Sequence, residues 1–197
     1  MPTAAEEAAL GTSPAAADRA GAASAGEAAA VPEPGPGEAA VVARAYFEAV
    51  AAKDLDAMTA LWQPGAMDEL HGLASLRAPE GIRDWFENTF RAVPDLRMVV
   101  LDLIAGGDKV AVHWHMTGTF TGEARFEGAI ATGEKIDITG CDVLTVREGR
   151  IQHNDAYVNG LQMARQLGLL PAQGSGQERA MVATVNARTR LTRRRRP

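Results

Sequence analysis

The order of the hydrophobic periods along the chain constrains its fold more than any other feature. Up to Phe90 the apolar residues recur every three or four positions, and from Leu96 onward they alternate. Residues 38–53 read as a helix, with Val41, Ala45, Tyr46, Ala49 and Val50 at helical spacing. Asp54-Leu-Asp restarts a short helix through Trp62, stopped by Pro64-Gly65. Ala78-Pro79-Glu80 opens a third helix, because an early proline and an acid in the first turn suit a helix N-terminus. That helix carries Ile82, Trp85, Phe86 and Phe90 and ends before Pro94-Asp95.

The alternating half begins with a strand over 96–105, turned by Gly106-Gly107-Asp108 into a second over 109–119. In the second, Val110, Val112, Trp114 and Met116 share a face. A shorter strand is expected over 124–129, followed by the connection Ala131-Thr-Gly-Glu134. Residues 137–146 and 151–158 flank the turn Arg147-Glu-Gly-Arg150. Asn159 then caps a last helix that runs to Leu167 and ends at Gly168. Helices followed by an antiparallel meander imply an α+β fold: a strongly curved antiparallel sheet packed against N-terminal helices, a cone-shaped barrel enclosing one pocket.

Both ends fall outside this pattern. Residues 1–36 are a tract rich in Ala, Gly, Pro and Glu, without the large apolar residues that offset ordering entropy, and read as disordered. Residues 172–197 begin Ala-Gln-Gly-Ser-Gly-Gln, contain seven arginines against one glutamate, and read as a disordered, solvated tail. The domain between them, 37–171, holds 19 acidic and 12 basic residues, a balance of about −7 within a chain of net charge −5. An acidic body argues against a specific nucleic-acid surface, which needs a basic face. Cys141 is the only cysteine, so neither an intrachain disulfide nor a thiolate metal cluster can form, which fits a reducing cytoplasm. No apolar run approaches the roughly 20 residues that span a bilayer, and no membrane role is expected.

Seven short motifs then follow in register: Gly81-Ile-Arg-Asp-Trp-Phe86, Pro94-Asp-Leu-Arg97, Gly107-Asp-Lys-Val-Ala-Val112, Thr117-Gly-Thr-Phe-Thr-Gly122, Ala131-Thr-Gly-Glu-Lys135, Val146-Arg-Glu-Gly-Arg-Ile151 and Arg165-Gln-Leu-Gly-Leu-Leu-Pro171. Together they resemble the SnoaL-like polyketide cyclase family, within the nuclear-transport-factor-2-like superfamily. The resemblance implies a cofactor-independent, metal-free enzyme of the lyase or isomerase class. Such an enzyme closes a ring by intramolecular aldol condensation of a hydrophobic, enolisable ester. A base removes an activated proton and a donor stabilises the enolate or alkoxide, so one tuned acid–base group in a dry pocket suffices. A homodimer is also in keeping with the family.

The last hairpin carries the candidate chemistry. If Val146 pairs with Ile151, Leu144 opposes His153 and Asp142 opposes Asp155, which puts Asp142, His153 and Asp155 on one face. A carboxylate pair beside an imidazole pushes pKa values apart; the same three residues on a solvated face need no explanation. Cyclases of the family use an Asp on the last strand and a His on the preceding one. Counted back from Gln166 without gaps, those positions fall on Ala156 and Asp142, and a one-residue bulge brings Asp155 into the first. Asp155 is therefore the expected acid–base group, with Asp142 and His153 as partners.

Tyr157 and Asn159 are candidate donors to an oxyanion, Asn159 having the alternative role of helix cap. Trp114 faces the core or the pocket. His71 and Asp68 lie in a connection that often caps the pocket in this superfamily, which makes them candidates for substrate contact or catalysis. Tyr46 and Trp62 face inward from helices as core residues, and Tyr46, Trp114 and His71 join Tyr157 and Asn159 as candidate substrate-binding residues. His113 and His115 with His153 could supply three imidazoles to a metal, but they lack established ligand spacing, and no metal is expected. Neither a nucleotide-binding glycine loop nor a Gly-x-Ser-x-Gly elbow is present. The rival readings are a non-catalytic binding or scaffolding module and an isomerase or epoxide hydrolase relative. The hydrolase needs Asp-Arg-Asp in the pocket, whereas Arg147 and Arg150 sit in a turn.

Overall fold

A computed structural model describes residues 37–126 and 128–193 of the chain. The expected disorder of residues 1–36 therefore lies outside the described residues. Helix α1 (Glu38–Ala52) starts with Glu38 in its first turn and stops where Lys53 turns left-handed, its N–H reaching the carbonyls of Ala49 and Val50. Helix α2 (Leu55–Ala60) is capped by Asp54, whose carboxylate accepts the N–H of Ala57 at 2.9 Å.

The chain then departs from the helical reading. Instead of a helix through Trp62, β1 (Trp62–Leu70) and β2 (Ala74–Arg77) form an antiparallel pair. Pro64 and the left-handed Gly65 are tolerated in β1 because they fall where its pairing shifts register between Trp62 and Met67. Helix α3 (Glu80–Ala92) follows as expected. Strands β3 (Arg97–Gly106), β4 (Lys109–Thr119), β5 (Lys135–Arg147) and β6 (Arg150–Val158) then form the meander. The stretch 124–129 is no strand: it makes a single bridge between Phe126 and Ala129. Helix α4 (Gly160–Gln166) is capped by Asn159, and α5 (Gly176–Arg193) is helical where a disordered tail is expected. Its Gln, Glu, Arg, Ala and Met residues are good helix formers, and the helix buries none of its residues.

The six strands lie in the order β2-β1-β6-β5-β4-β3. The sheet is open and mixed rather than wholly antiparallel, because β1 joins the last strand β6 in parallel. Helix α1 packs across β3, β4 and β5, and its Tyr46, Phe47 and Val50 share one buried core with Val110, Val112, Ile138 and Leu144. Large side chains such as Trp62, Tyr46 and Phe120 are almost fully excluded from water. Burial of this kind contributes about 1.5–3 kcal/mol per large apolar side chain and offsets the entropy of ordering the chain.

Candidate functional site

One residue in the last hairpin decides which side chains meet. Val146 faces Ile151, as the turn implies, but Thr145 faces His153, so Gln152 is left without a partner. Beyond this bulge Leu144 opposes Asn154, Val143 opposes Asp155 and Asp142 opposes Ala156. Side chains alternate across a strand, so one unpaired residue exchanges the faces of everything after it. The expected grouping of Asp142 with His153 and Asp155 is therefore not formed. Asp142 points inward with Asn154 and Ala156, all three buried, while His153, Asp155 and Tyr157 point to the other face.

The inward face builds a polar cluster at one end of an apolar cavity. Parallel pairing of β1 with β6 sets Asp68 opposite Asn154. The Asn154 amide donates both of its N–H groups, to Asp68 Oδ1 at 2.9 Å and to Asp142 Oδ2 at 2.8 Å. The indole of Trp114 donates to the other oxygen of Asp142 at 2.8 Å. Trp114 can reach it because its cross-strand partner is Gly140: a Cβ there would sit 2.2 Å from the indole ring. Tyr46, edge-on to Trp62 at 5.8 Å, adds a phenol to the cavity lining.

The cavity encloses about 90 Å³, and Asp68, Asp142, Tyr46, Trp85, Phe86 and Phe126 are among its lining residues. Burial governs the acidities of these groups. It raises Asp68 to about 8, helped by the charge of Asp142 and opposed by the Asn154 hydrogen bond. Burial also raises Asp142, to about 6, against the hydrogen bonds from Trp114 and Asn154. Burial first, then the charges of Asp68 and Asp142, pushes the Tyr46 phenol well above 10 and keeps it a donor. At neutral pH the site thus offers one ionised carboxylate, one carboxylic acid and a phenol. The oxygen of the Asn154 amide, buried and without a hydrogen-bond partner among the described residues, is a further acceptor.

The remaining expected residues lie elsewhere. On the outer face, Asp155 bonds to His71 Nε2 at 2.8 Å and lies 3.3 Å from His153 Nε2. Hydrogen bonds from His71 and then His153 hold its carboxyl below the usual range, outweighing burial. His71 stacks on Tyr157 with ring centroids 4.5 Å apart. Asn159 serves as a helix cap, accepting the Gln162 N–H at 3.0 Å. His115 bonds to Asp137 at 2.7 Å, and among the described residues no group of three or more His, Cys, Asp or Glu side chains is arranged to hold a metal. Among the described residues no arginine lines the cavity, so they do not build the Asp-Arg-Asp arrangement of an epoxide hydrolase there. Sequence reasoning placed Asp68 in a loop and passed over Asn154. In the structure Ala66, Asp68 and Leu70 are buried and alternate with half-buried Met67 and Glu69, a pattern of β1 that Pro64-Gly65 and the apolar Met67 hide in the sequence.

Comparisons agree with this architecture. AclR of Streptomyces galilaeus, a proposed hydroxylase, is 19% identical and superposes with a TM-score of 0.60 over 81% of this chain and 98% of its own. A proposed SnoaL-like polyketide cyclase from Jannaschia sp. CCS1 is 20% identical, with a TM-score of 0.61 over 68% of this chain and 94% of its own. IdmH of Streptomyces antibioticus, a proposed polyketide cyclase, is 27% identical, with a TM-score of 0.57 over 67% of this chain and 99% of its own. A search of curated proteins finds no match. The profile of the SnoaL-like polyketide cyclases matches residues 40–167, which take in every strand and every residue of the polar cluster, and the chain belongs to that family.

Proposed function

We propose that the protein is a cofactor-independent acid–base catalyst of the lyase or isomerase class, acting on a hydrophobic, enolisable small molecule such as a polyketide ester. The observation that carries this reading is the pair of buried carboxylates, Asp68 and Asp142, bridged by Asn154 at the polar end of an otherwise apolar cavity. A fold gains no stability from holding two carboxyl groups this far from water, and such pairs cluster at sites that move protons.

In this scheme Asp142, ionised at neutral pH, removes a proton from the carbon between two carbonyls of the substrate. The resulting enolate carbon forms a bond with a carbonyl carbon of the same molecule, and that carbonyl oxygen becomes an alkoxide. Asp68, protonated, gives its proton to the alkoxide, and Tyr46 donates a hydrogen bond to the oxygen that gains charge. The proton acquired by Asp142 then returns the pair to its starting state through solvent. A purely binding module has no need of the two acids, whose presence inside the cavity favours catalysis over the scaffolding alternative.

Exchange of the substrate's activated C–H for deuterium, followed by NMR on a panel of β-keto esters, tests the proton-abstraction step without knowledge of the final product. Asp142→Asn is expected to slow exchange by about 10²–10⁴-fold with the fold intact. Exchange at the wild-type rate in Asp142→Asn would remove the base from this scheme.

A further inference from the structure

The cavity is graded from floor to rim. Tyr46, Asp68, Trp114 and Asp142 are buried, whereas the half-buried part of the lining, where water reaches the cavity, is wholly apolar. Trp85, Phe86 and Phe126 are the aromatic members of that rim. Trp85 and Phe126 meet edge to face, with ring centroids 6.0 Å apart and planes inclined at 63°. Methionines of the rim such as Met98 and Met116 can change shape to suit an occupant. The ring pair is fastened instead. Asn88 of α3 donates to the Arg125 carbonyl at 2.9 Å, one residue before Phe126. The Gly122 N–H donates to the Ala92 carbonyl at 2.9 Å, and a Cβ at Gly122 would sit 1.7 Å from the Arg91 carbonyl oxygen. The helix that carries Trp85 therefore also holds the segment that presents Phe126.

We infer that Trp85 and Phe126 are a size filter: they confine the site to esters with no more than a short alkyl group beyond the two carbonyls, and they exclude fused rings. The volume supports this. At about 90 Å³ the cavity offers three times the roughly 30 Å³ share of one water molecule. An apolar cavity that admits benzene has about 150 Å³, and ordinary ligand pockets have about 300–1,000 Å³. The dicarbonyl end of a substrate can reach the acids, but a bulky remainder has to lie at the rim and force the two rings apart. Displacing them costs their edge-to-face contact and the Asn88–Arg125 hydrogen bond together. The rim offers a large group no polar contact in return, since the Thr89 hydroxyl beside it already donates to the Trp85 carbonyl at 2.8 Å. That the dicarbonyl end faces the acids rests on the function proposed above; the size limit comes from the rim alone.

Calorimetric titration of the full chain with three methyl β-keto esters tests the filter. Each is dimethylated at the carbon between the carbonyls, so that no proton can be removed there, and they end in a methyl, a phenyl or a naphthyl ketone. The wild type is expected to bind the methyl ketone, to bind the phenyl ketone more weakly and to leave the naphthyl ketone unbound. Phe126→Ala should tighten the two aryl ketones by about 10–200-fold, the range that small steric changes produce in apolar pockets, with the methyl ketone little changed. Asn88→Ala, at an exposed residue outside the lining, should shift the order the same way by a smaller factor, and serves if Phe126→Ala does not fold. Three results overturn the filter: wild type binding the naphthyl ketone as tightly as the methyl ketone, an order that no folded variant alters, or no binding of any of the three by wild type. The expected size order in a protein that exchanges no deuterium supports the filter and removes only the chemistry proposed above.

Discussion

Replacing Asp68 by Asn should make the protein more stable, and by an amount that depends on pH. The Asp68 carboxyl is raised from an ordinary 3.8 to about 8 by burial and by the charge of Asp142. Between roughly pH 4 and pH 8 the folded state therefore holds a proton that the unfolded state has released. The folded state binds more protons in that window, so its stability falls as pH rises through it. At pH 7 the difference corresponds to about three pK units, or roughly 4 kcal/mol, against a total of about 5–15 kcal/mol for an ordinary domain. An Asn at position 68 keeps the carbonyl oxygen that accepts from Asn154 and never ionises. Urea unfolding of wild type and Asp68→Asn from pH 4 to pH 9, followed by tryptophan fluorescence, measures the effect. The variant's advantage should be near zero at pH 4 and grow to as much as about 4 kcal/mol at pH 7. If the gap is independent of pH, or if the variant's advantage shrinks as pH rises, Asp68 does not hold a proton in the folded state; the slope that both proteins share, from Asp142, cancels in the comparison.

Two other outcomes separate the inner cluster from the outer one. Trp114→Phe removes a donor from Asp142 and leaves Asn154 as its remaining partner. Loss of a hydrogen bond to a charged group costs about 1.5–3 kcal/mol, and the Asp142 pKa should rise further, moving the acid limb of the kcat/KM profile to higher pH. Asp155→Asn should leave the exchange rate unchanged, because its carboxylate meets His71 and His153 on the far side of the sheet. It should alter stability by less than about 1 kcal/mol, as partly exposed ion pairs do, and a large activity loss would restore Asp155 to the site.

Much of the fold is legible because its signals are local. The Gly106-Gly107-Asp108 and Arg147-Glu-Gly-Arg150 turns, the alternation through Trp114, and Asn159 as a cap all depend on neighbours a few residues apart. The hairpin of β1 and β2 escaped this reading because Pro64 and Gly65 signal a break, and only the register shift against β6 lets a strand contain them. Helix α5 escaped it for the opposite reason: a run of arginines suggests a solvated coil, while the residues preceding it favour a helix.

For the site, the residue types were visible and their faces were not. From sequence alone, the chain must place acids, a histidine and a tyrosine on its last strands, since alternation and turn chemistry specify those strands locally. Whether Asp142 meets Asp155 or Asn154 depends on one unpaired residue, Gln152, at the register shift between β5 and β6. Asp68 reaches the same cluster only because β1 crosses the fold to pair in parallel with β6. Periodicity along a strand carries no record of its partner's register, so the tertiary structure alone brings Asp68, Asn154, Asp142 and Trp114 together, buried at one cavity.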